Sequence, residues 1–273
     1  MTAAVSGVVG WVGRHAILLF ALLVLLYMFL PVFVVVLMSF NDPASRIGYD
    51  FDGFTLDNWT NVCGPYQLCS SVWVSIRIGI FATLVATALG TLMAFGMVRH
   101  RFRGRASANL LIFLPMATPE IVLGSSLLAL FVNQGYAGRL GFWTIFIAHV
   151  MFCLSFVIVT VKARLAGLDE NLEQAAMDLY ANERQTFLRV TLPLVAPGIA
   201  AAALLAFALS FDDYIITNFT ASASSITFPM FVWGAAARGA PVQINVVGTV
   251  MFLLALSAVA IGQLVGRRRR AAR

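Results

Sequence analysis

Long uninterrupted apolar runs are the feature that most limits what this chain can fold into. Residues 17–38 carry no charged side chain over 22 positions, and a helix needs about 20 apolar residues to cross the hydrocarbon core of a bilayer. Comparable runs follow at residues 72–98, 108–132, 141–161, 195–219 and 244–265. Charged residues make up 11% of the chain, against roughly 25% in soluble domains. The sequence therefore predicts an all-α, polytopic membrane protein with about six transmembrane helices, in a single transmembrane domain over residues 1–273.

The cationic residues are distributed unevenly between the ends of these runs. With the N-terminus in the cytosol, 14 of the 18 Lys and Arg residues fall on the cytosolic side, and four fall outside or at a span end: Arg46, Arg77, Arg139 and Arg238. This is the positive-inside pattern, and it predicts that both termini are cytosolic. The run Arg267–Arg270 then lies beside anionic lipid, which is a better explanation of the net charge of +6 than a nucleic-acid partner.

The chain carries none of the short motifs that would indicate chemistry of its own. It has no G-x-x-x-x-G-K-[ST] loop for nucleotide phosphates and no H-E-x-x-H pair. Its three histidines, His15, His100 and His149, are scattered, and no Cys/His set has the spacing of metal ligands. We therefore expect a transport component rather than an enzyme, with no cofactor or metal on this chain. Uphill movement of a solute would draw its energy from a partner or an ion gradient.

The segment of about residues 40–71 is the loop predicted outside the membrane. Cys63 and Cys69 lie six residues apart in it. A small disulfide is possible in an oxidising compartment, but spacing alone does not decide between a disulfide and two free thiols.

The longest cytosolic loop covers about residues 162–194. Its apolar residues recur at helical spacing, at Leu168, Leu172, Ala175, Ala176 and Leu179. Asp169, Glu170 and Glu173 lie in or near the first turn, where the helix dipole favours negative charge. Pro193 is expected to break the helix before the next span begins. This pattern fits either a helix lying on the membrane or a rigid helix that docks into a groove of another protein.

A family resemblance favours docking. The segment Glu173–Ala181, followed by Leu192-Pro193, resembles the EAA loop of ABC-importer permeases, E-A-A-x-x-x-G with I-x-L-P nine residues later. Gln174 stands where that pattern has Glu, and Tyr180 where it has Gly. The resemblance implies a type I ABC-importer permease fold and a coupling helix seated on a separate ATPase subunit, which would hold the ATP and Mg. The residues implied in ATPase coupling are Glu173, Gln174, Ala175, Ala176, Asp178, Leu179 and Tyr180.

Three acidic residues lie in or at the ends of apolar segments: Glu120, Asp212 and Asp213. An acid at the bilayer centre costs about 2.5–3.5 kcal/mol on insertion scales, so such residues usually face a pathway or a partner. Pro115 and Pro119 precede Glu120 and can bend the helix toward a cavity. No cation within the spans is expected to pair with these acids, which favours a vestibule for positively charged solutes. The alternative is that the two aspartates cap an outer helix end.

A second resemblance concerns the solute. Ser39-Phe40-Asn41, Pro119-Glu120-Ile121-Val122 and Ser210-Phe211-Asp212-Asp213 are similar to the spermidine/putrescine branch of these permeases. This implies that Glu120, Asp212 and Asp213 help to move a polyamine, and nearby aromatics such as Tyr214 and Trp59 could add cation–π contacts. It also implies a bacterial inner membrane, a second homologous permease chain, two ATPase subunits and an extracytoplasmic substrate-binding protein. An ABC permease for another solute, such as iron or an oxyanion, and a proton-coupled secondary transporter remain alternatives.

Overall fold

The helices follow the apolar runs, but two of the predicted spans are broken. The computed structural model describes residues 2–44, 50–136, 138–169 and 171–271. Within those ranges the helices are α1 Thr2–Met38, α2 Asp57–Thr60, α3 Leu68–Arg99, α4 Arg105–Ala117, α5 Glu120–Asn133, α6 Phe142–Ala166, α7 Asn171–Asp178, α8 Glu183–Thr186, α9 Leu192–Asp212, α10 Ile215–Thr220, α11 Phe228–Ala236 and α12 Gln243–Ala271, with a π-helical turn at Phe187–Thr191. An isolated antiparallel bridge joins Asn41 to Phe54.

Five helical segments of the described chain are long and apolar enough to cross a membrane: His15–Met38, Leu68–Arg99, Phe142–Ala166, Glu183–Asp212 and Gln243–Gly262. A sixth crossing would be the pair α4 and α5, which are bent by 106° at the break between them. The prediction of an all-α membrane protein with about six spans is confirmed. Arg46 and Glu170, which the sequence interpretation used, lie outside the described residues.

Two expectations about these spans are wrong. The run 195–219 is not one helix, because α9 ends at Asp212 and α10 is a separate element. Pro193 does not end a helix either, since Glu183–Asp212 is one continuous segment. Pro193 lies in the first turn of α9, and the π-helical turn directly before it changes the hydrogen-bond register so that the helix continues past the missing N–H.

The chain falls into two compact units, residues 69–234 and residues 1–68 with 235–273. In the first, α6 is the central helix, buried at many positions between Thr144 and Leu165 and in contact with α4, α5, α9 and α10. Two glycines allow close helix approach. A Cβ on Gly90 of α3 would lie 2.7 Å from the Val157 side chain of α6, and one on Gly124 of α5 would lie 2.6 Å from Phe219 of α10.

In the second unit α1 packs against α12, with the Phe29 and Phe252 rings edge to face at 6.1 Å. The segment after α1 is fixed by buried amides. The Asn58 side chain donates to the Asn41 carbonyl at 2.8 Å and accepts from Gln243 of α12 at 3.3 Å. Most other side chains of α1 between Ile17 and Leu37 are exposed, which suits a helix with lipid or another subunit around it.

The cysteine question left open by the sequence has an answer in the structure. Cys63 and Cys69 are disulfide-bonded, whereas Cys153 is a free thiol buried inside α6. A disulfide is stable where the surroundings are oxidising, which agrees with placing residues 40–71 outside the cytosol.

Candidate functional site

The first helix break places Glu120 at the start of a helix. Thr118 closes α4, donating its N–H and its hydroxyl to the Leu114 carbonyl at 3.0 and 2.7 Å. Pro119 then has an extended ψ of 134°, and the chain turns by 106° into α5. Glu120 is therefore the first residue of α5, where the helix dipole favours a carboxylate. The bend expected from the prolines is confirmed, and Glu120 is not in the middle of a straight helix.

The second break lies between the two adjacent aspartates. Asp212 is the last residue of α9, and Asp213 is extended, with ψ of 124°. The Asp213 carboxylate accepts from the N–H of Ile216 at 3.4 Å and from the N–H and the hydroxyl of Thr217, both at 2.7 Å. Asp213 therefore caps the N-terminus of α10. The alternative placed both aspartates at the outer end of this span, whereas the structure places the Asp213 carboxylate on the first turn of a separate helix, α10.

The structure shows a polar partner for Asp213 within the spans, which the sequence did not predict. His149 of α6 has 1% of its side chain exposed, and its Nε2 lies 3.3 Å from the Asp213 carboxylate. The same nitrogen is 2.9 Å from the Thr217 hydroxyl, and Nδ1 is 2.7 Å from the Ser210 hydroxyl. The imidazole thereby joins α6 to both sides of the break between α9 and α10. A buried polar group is stable only with such partners.

Glu120 and Asp212 differ from Asp213 because they are exposed. Both line a cavity of about 420 Å³, together with Asp213, Tyr214 and apolar residues. Neither carboxylate takes part in the ion pairs of the described chain. Tyr214 stacks on Trp233 with ring centroids 5.1 Å apart. The cavity therefore offers two free carboxylates and an aromatic wall, a combination that attracts an organic cation.

The sequence grouped Trp59 with these residues, but the structure places it elsewhere in the chain. Trp59 belongs to α2, in the other unit, and its ring stacks on Phe40 at 5.4 Å. It is not among the residues that line the cavity with Glu120. Its role in a pathway stays a prediction.

The candidate coupling helix is α7, and it is shorter than the apolar pattern indicated, since Leu168 lies before it. Gln174, Ala175 and Asp178 are exposed, and Ala176 is half-buried. Beyond the helix, Leu179 is 81% exposed and Tyr180 98% exposed. Large apolar side chains this open to solvent at the end of a short helix are typical of a surface that another protein covers.

The backbone after α7 forms a left-handed turn, although Tyr180 stands where the EAA pattern has glycine. Tyr180 has φ of +64°, the left-handed conformation that glycine normally supplies. The N–H of Ala181 donates to the Ala176 carbonyl at 3.1 Å, and the N–H of Tyr180 to the Met177 carbonyl at 2.9 Å. This pair of bonds is a Schellman motif, with Tyr180 at the position that glycine usually occupies.

Glu173 faces its own chain. Its carboxylate is paired with both terminal nitrogens of the Arg99 guanidinium, at the end of α3, and it accepts from the Thr191 hydroxyl at 2.6 Å. Thr191 ends the π-helical turn that leads into α9. Glu173 thus ties α7 to the end of α3 and to the base of α9, while Gln174 beside it is exposed.

Comparison with known proteins agrees with this arrangement. Residues 86–271 match the family described as binding-protein-dependent transport system inner membrane component. The chain belongs to this family. It is a transport permease subunit, and it lies in the inner membrane as a multi-pass protein.

Two relatives of this permease carry substrate names. It is 34% identical to the spermidine/putrescine transport system permease protein PotC of Haemophilus influenzae, over 91% of its own length and 95% of that relative. It is also 34% identical, over 82% of its length and 81% of the other chain, to the putrescine transport system permease protein PotI of Escherichia coli K12.

The fold has a counterpart among solved structures. A permease chain of a bacterial ABC transporter for the acidic polysaccharide alginate superimposes with a TM-score of 0.61 at 18% identity, covering 95% of this permease and 96% of that chain. At that identity the likeness concerns the fold alone, and it confirms the prediction of an ABC-importer permease fold.

Proposed function

We propose that this permease imports polyamines such as spermidine and putrescine. The observation that carries the proposal is the cavity in which Glu120 and Asp212 stand exposed, without cationic partners in the described chain, beside the Tyr214–Trp233 stack. Protonated amines at intervals along a flexible chain are complementary to separated carboxylates and to aromatic faces. An oxyanion would be repelled there. The substrates named for the relatives PotC and PotI support the same choice of solute.

The distribution of Arg along the sequence and the exposed surface of α7 support the subunit assembly that this proposal requires. Both termini are cytosolic, as the distribution of Arg predicts. A second, homologous permease chain completes the pathway, and a substrate-binding protein delivers the solute from outside. Two ATPase subunits bind on the cytosolic side and carry the ATP and Mg, and α7 with Leu179 and Tyr180 docks on one of them.

The route from α7 to the cavity passes through Glu173. ATP-driven movement of the ATPase would displace α7, and the Glu173 carboxylate would carry that displacement to Arg99 of α3 and Thr191 at the base of α9. Asp212 lies at the other end of α9. A rigid helix between the two points can therefore turn movement on the cytosolic side into a changed exposure of the acidic cavity.

The test is uptake of labelled spermidine and putrescine in a strain without its own importer, with the complete operon supplied. Glu120→Gln and Asp212→Asn should each lower uptake by tenfold or more at unchanged membrane expression. Asp212→Glu, which keeps the charge, should retain most of the activity. Asp57→Asn is the matched control, because Asp57 is an exposed carboxylate of α2 outside the cavity.

Uptake should also continue after a protonophore collapses the proton gradient, as long as ATP is present. Normal transport by both Glu120→Gln and Asp212→Asn would remove the basis of the proposal. Uptake that stops with the gradient while ATP remains would instead favour a proton-coupled secondary transporter.

A further inference from the structure

A second cavity is lined by Arg77, a cationic residue of the apolar helix α3. Unlike the cavity with Glu120 and Asp212, it has no acidic residue in its lining. Arg77 is the tenth residue of α3, about 14 Å along the helix from its first residue at 1.5 Å per residue. Its side chain is exposed, and it has no part in the ion pairs of the described chain. A charged group at such a position is costly unless a counter-charge or the headgroup region receives it.

The surroundings of Arg77 are aromatic on one side and hydroxylic on the other. Its guanidinium carbon lies 5.2 Å from the centroid of the Phe142 ring. The cavity, of about 480 Å³, is completed by Val74, Phe81, Trp143, Phe146, Ser224 and Ser225. Phe142 and Trp143 are the first two residues of α6, so the positive end of a 25-residue helix dipole lies at the wall of this cavity.

The serines supply neutral hydrogen-bonding groups at the mouth of this cavity. The Ser222 hydroxyl lies 3.0 Å from the hydroxyls of both Ser224 and Ser225, and Ser224 is exposed. Acidic side chains are absent from the lining. The cavity therefore combines one full positive charge, a helix N-terminus and hydroxyl groups. No acidic residue in its lining balances this positive charge.

The apolar wall identifies the kind of anion. Trp143 is 70% exposed and Phe81 48% exposed, so the cavity opens sideways onto the apolar surface of the spans. Trp side chains and basic groups meet in this way at the level of lipid headgroups. A ligand that suits both features has an anionic phosphate head and apolar tails.

We propose that this cavity binds the phosphate headgroup of an anionic phospholipid, with the Arg77 guanidinium and the α6 N-terminus on the phosphate and the aromatic side chains along the acyl chains. The lipid fills a notch between α3, α6 and the segment before α11, and it neutralises Arg77 where the protein does not. With both termini cytosolic, the site faces the outer leaflet. The proposal does not depend on which solute the permease carries.

The experiment measures lipid retention by the complete transporter complex. The complex is purified in mild detergent, exchanged with phosphatidylglycerol or with zwitterionic phosphatidylcholine, and the bound lipid is counted by native mass spectrometry. The wild type should retain phosphatidylglycerol preferentially. Arg77→Gln should lower that preference about fivefold, the factor that corresponds to about 1 kcal/mol per basic residue near an anionic surface. Arg77→Lys should keep most of it.

Arg238→Gln is the matched control, since Arg238 is exposed in a loop rather than in an apolar span, and it should behave as the wild type. Equal phosphatidylglycerol retention by Arg77→Gln and wild type would overturn the proposal. So would displacement of the lipid by millimolar inorganic phosphate, which would indicate a site for a small free anion. Cross-linking of a cysteine at position 77 to the second permease chain, with no lipid lost in Arg77→Gln, would show that a subunit covers the cavity.

Discussion

The two adjacent aspartates should respond to the same substitution in opposite ways. Asp213→Asn should destabilise the permease and Asp212→Asn should not, although both remove one carboxylate. The difference follows from their surroundings. The Asp213 side chain is 4% exposed and lies 3.3 Å from the His149 imidazole, and it accepts two hydrogen bonds of 2.7 Å from Thr217. Asp212 is exposed and lines the cavity.

The expected size of the effect can be bounded. Leaving a buried polar group without a hydrogen-bond partner costs about 1–3 kcal/mol, and side-chain hydrogen bonds between membrane helices are worth at most about 1.7 kcal/mol each. Because asparagine keeps one acceptor oxygen for Thr217, we expect the middle of the first range, about 2 kcal/mol. At about 2–4 °C per kcal/mol for a chain of this size, the melting temperature should fall by roughly 4–8 °C. Asp212→Asn should stay within about 0.5 kcal/mol of wild type.

The assay is thermal unfolding of the purified complex in detergent, followed by size-exclusion chromatography, next to polyamine uptake normalised to expression. His149→Gln should reproduce the loss seen for Asp213→Asn, and the double variant should lose clearly less than the sum, because the two residues share one interaction. A wild-type melting temperature for Asp213→Asn, or additive losses in the double variant, would refute the argument that the His149–Asp213 contact holds the helix break.

Two further predictions concern the coupling helix. Tyr180→Gly should raise the melting temperature by a few degrees, since a left-handed conformation costs a non-glycine residue about 1–2 kcal/mol; an unchanged or lower value would mean that Tyr180 is not strained at φ of +64°. Glu173→Gln should lower uptake while the ATPase still co-purifies, because it removes the charge that pairs with Arg99 but leaves the outward face intact. Gln174→Ala is the control for that face. Loss of the ATPase from Glu173→Gln preparations would place Glu173 in the docking surface instead.

The sequence was sufficient for the features that the bilayer itself imposes. A crossing helix must be long and apolar, so the spans could be recognised without knowledge of their contacts. Pro119 indicated the break before Glu120, because proline lacks the N–H that a continuous helix needs. The prediction that Pro193 breaks its helix failed because the π-helical turn directly before Pro193 accommodates the missing N–H within a continuous segment.

Contacts between distant segments could not be predicted in this way. His149 and Asp213 are 64 positions apart, and nothing in either local pattern indicates that α6 and the start of α10 meet. The sequence therefore predicted three free carboxylates in the apolar segments, whereas in the described structure Glu120 and Asp212 are free and Asp213 is not. The only local sign was a histidine inside an apolar run, whose need for partners implies a polar network without saying where it lies.

The adjacent pair Asp212-Asp213 shows how one residue type acquires two functions within a single helix break. At the end of α9 the chain becomes extended, so the second carboxylate turns back onto the N–H groups of α10 while the first stays on the cavity side. Capping α10 and binding His149 make Asp213 a part of the frame. That frame also fixes the direction in which Asp212 points, and a carboxylate held in place binds a flexible cation at a lower entropic cost than a mobile one. On the proposed function, we therefore expect Asp213 to influence transport through Asp212, although its own carboxylate is already hydrogen-bonded.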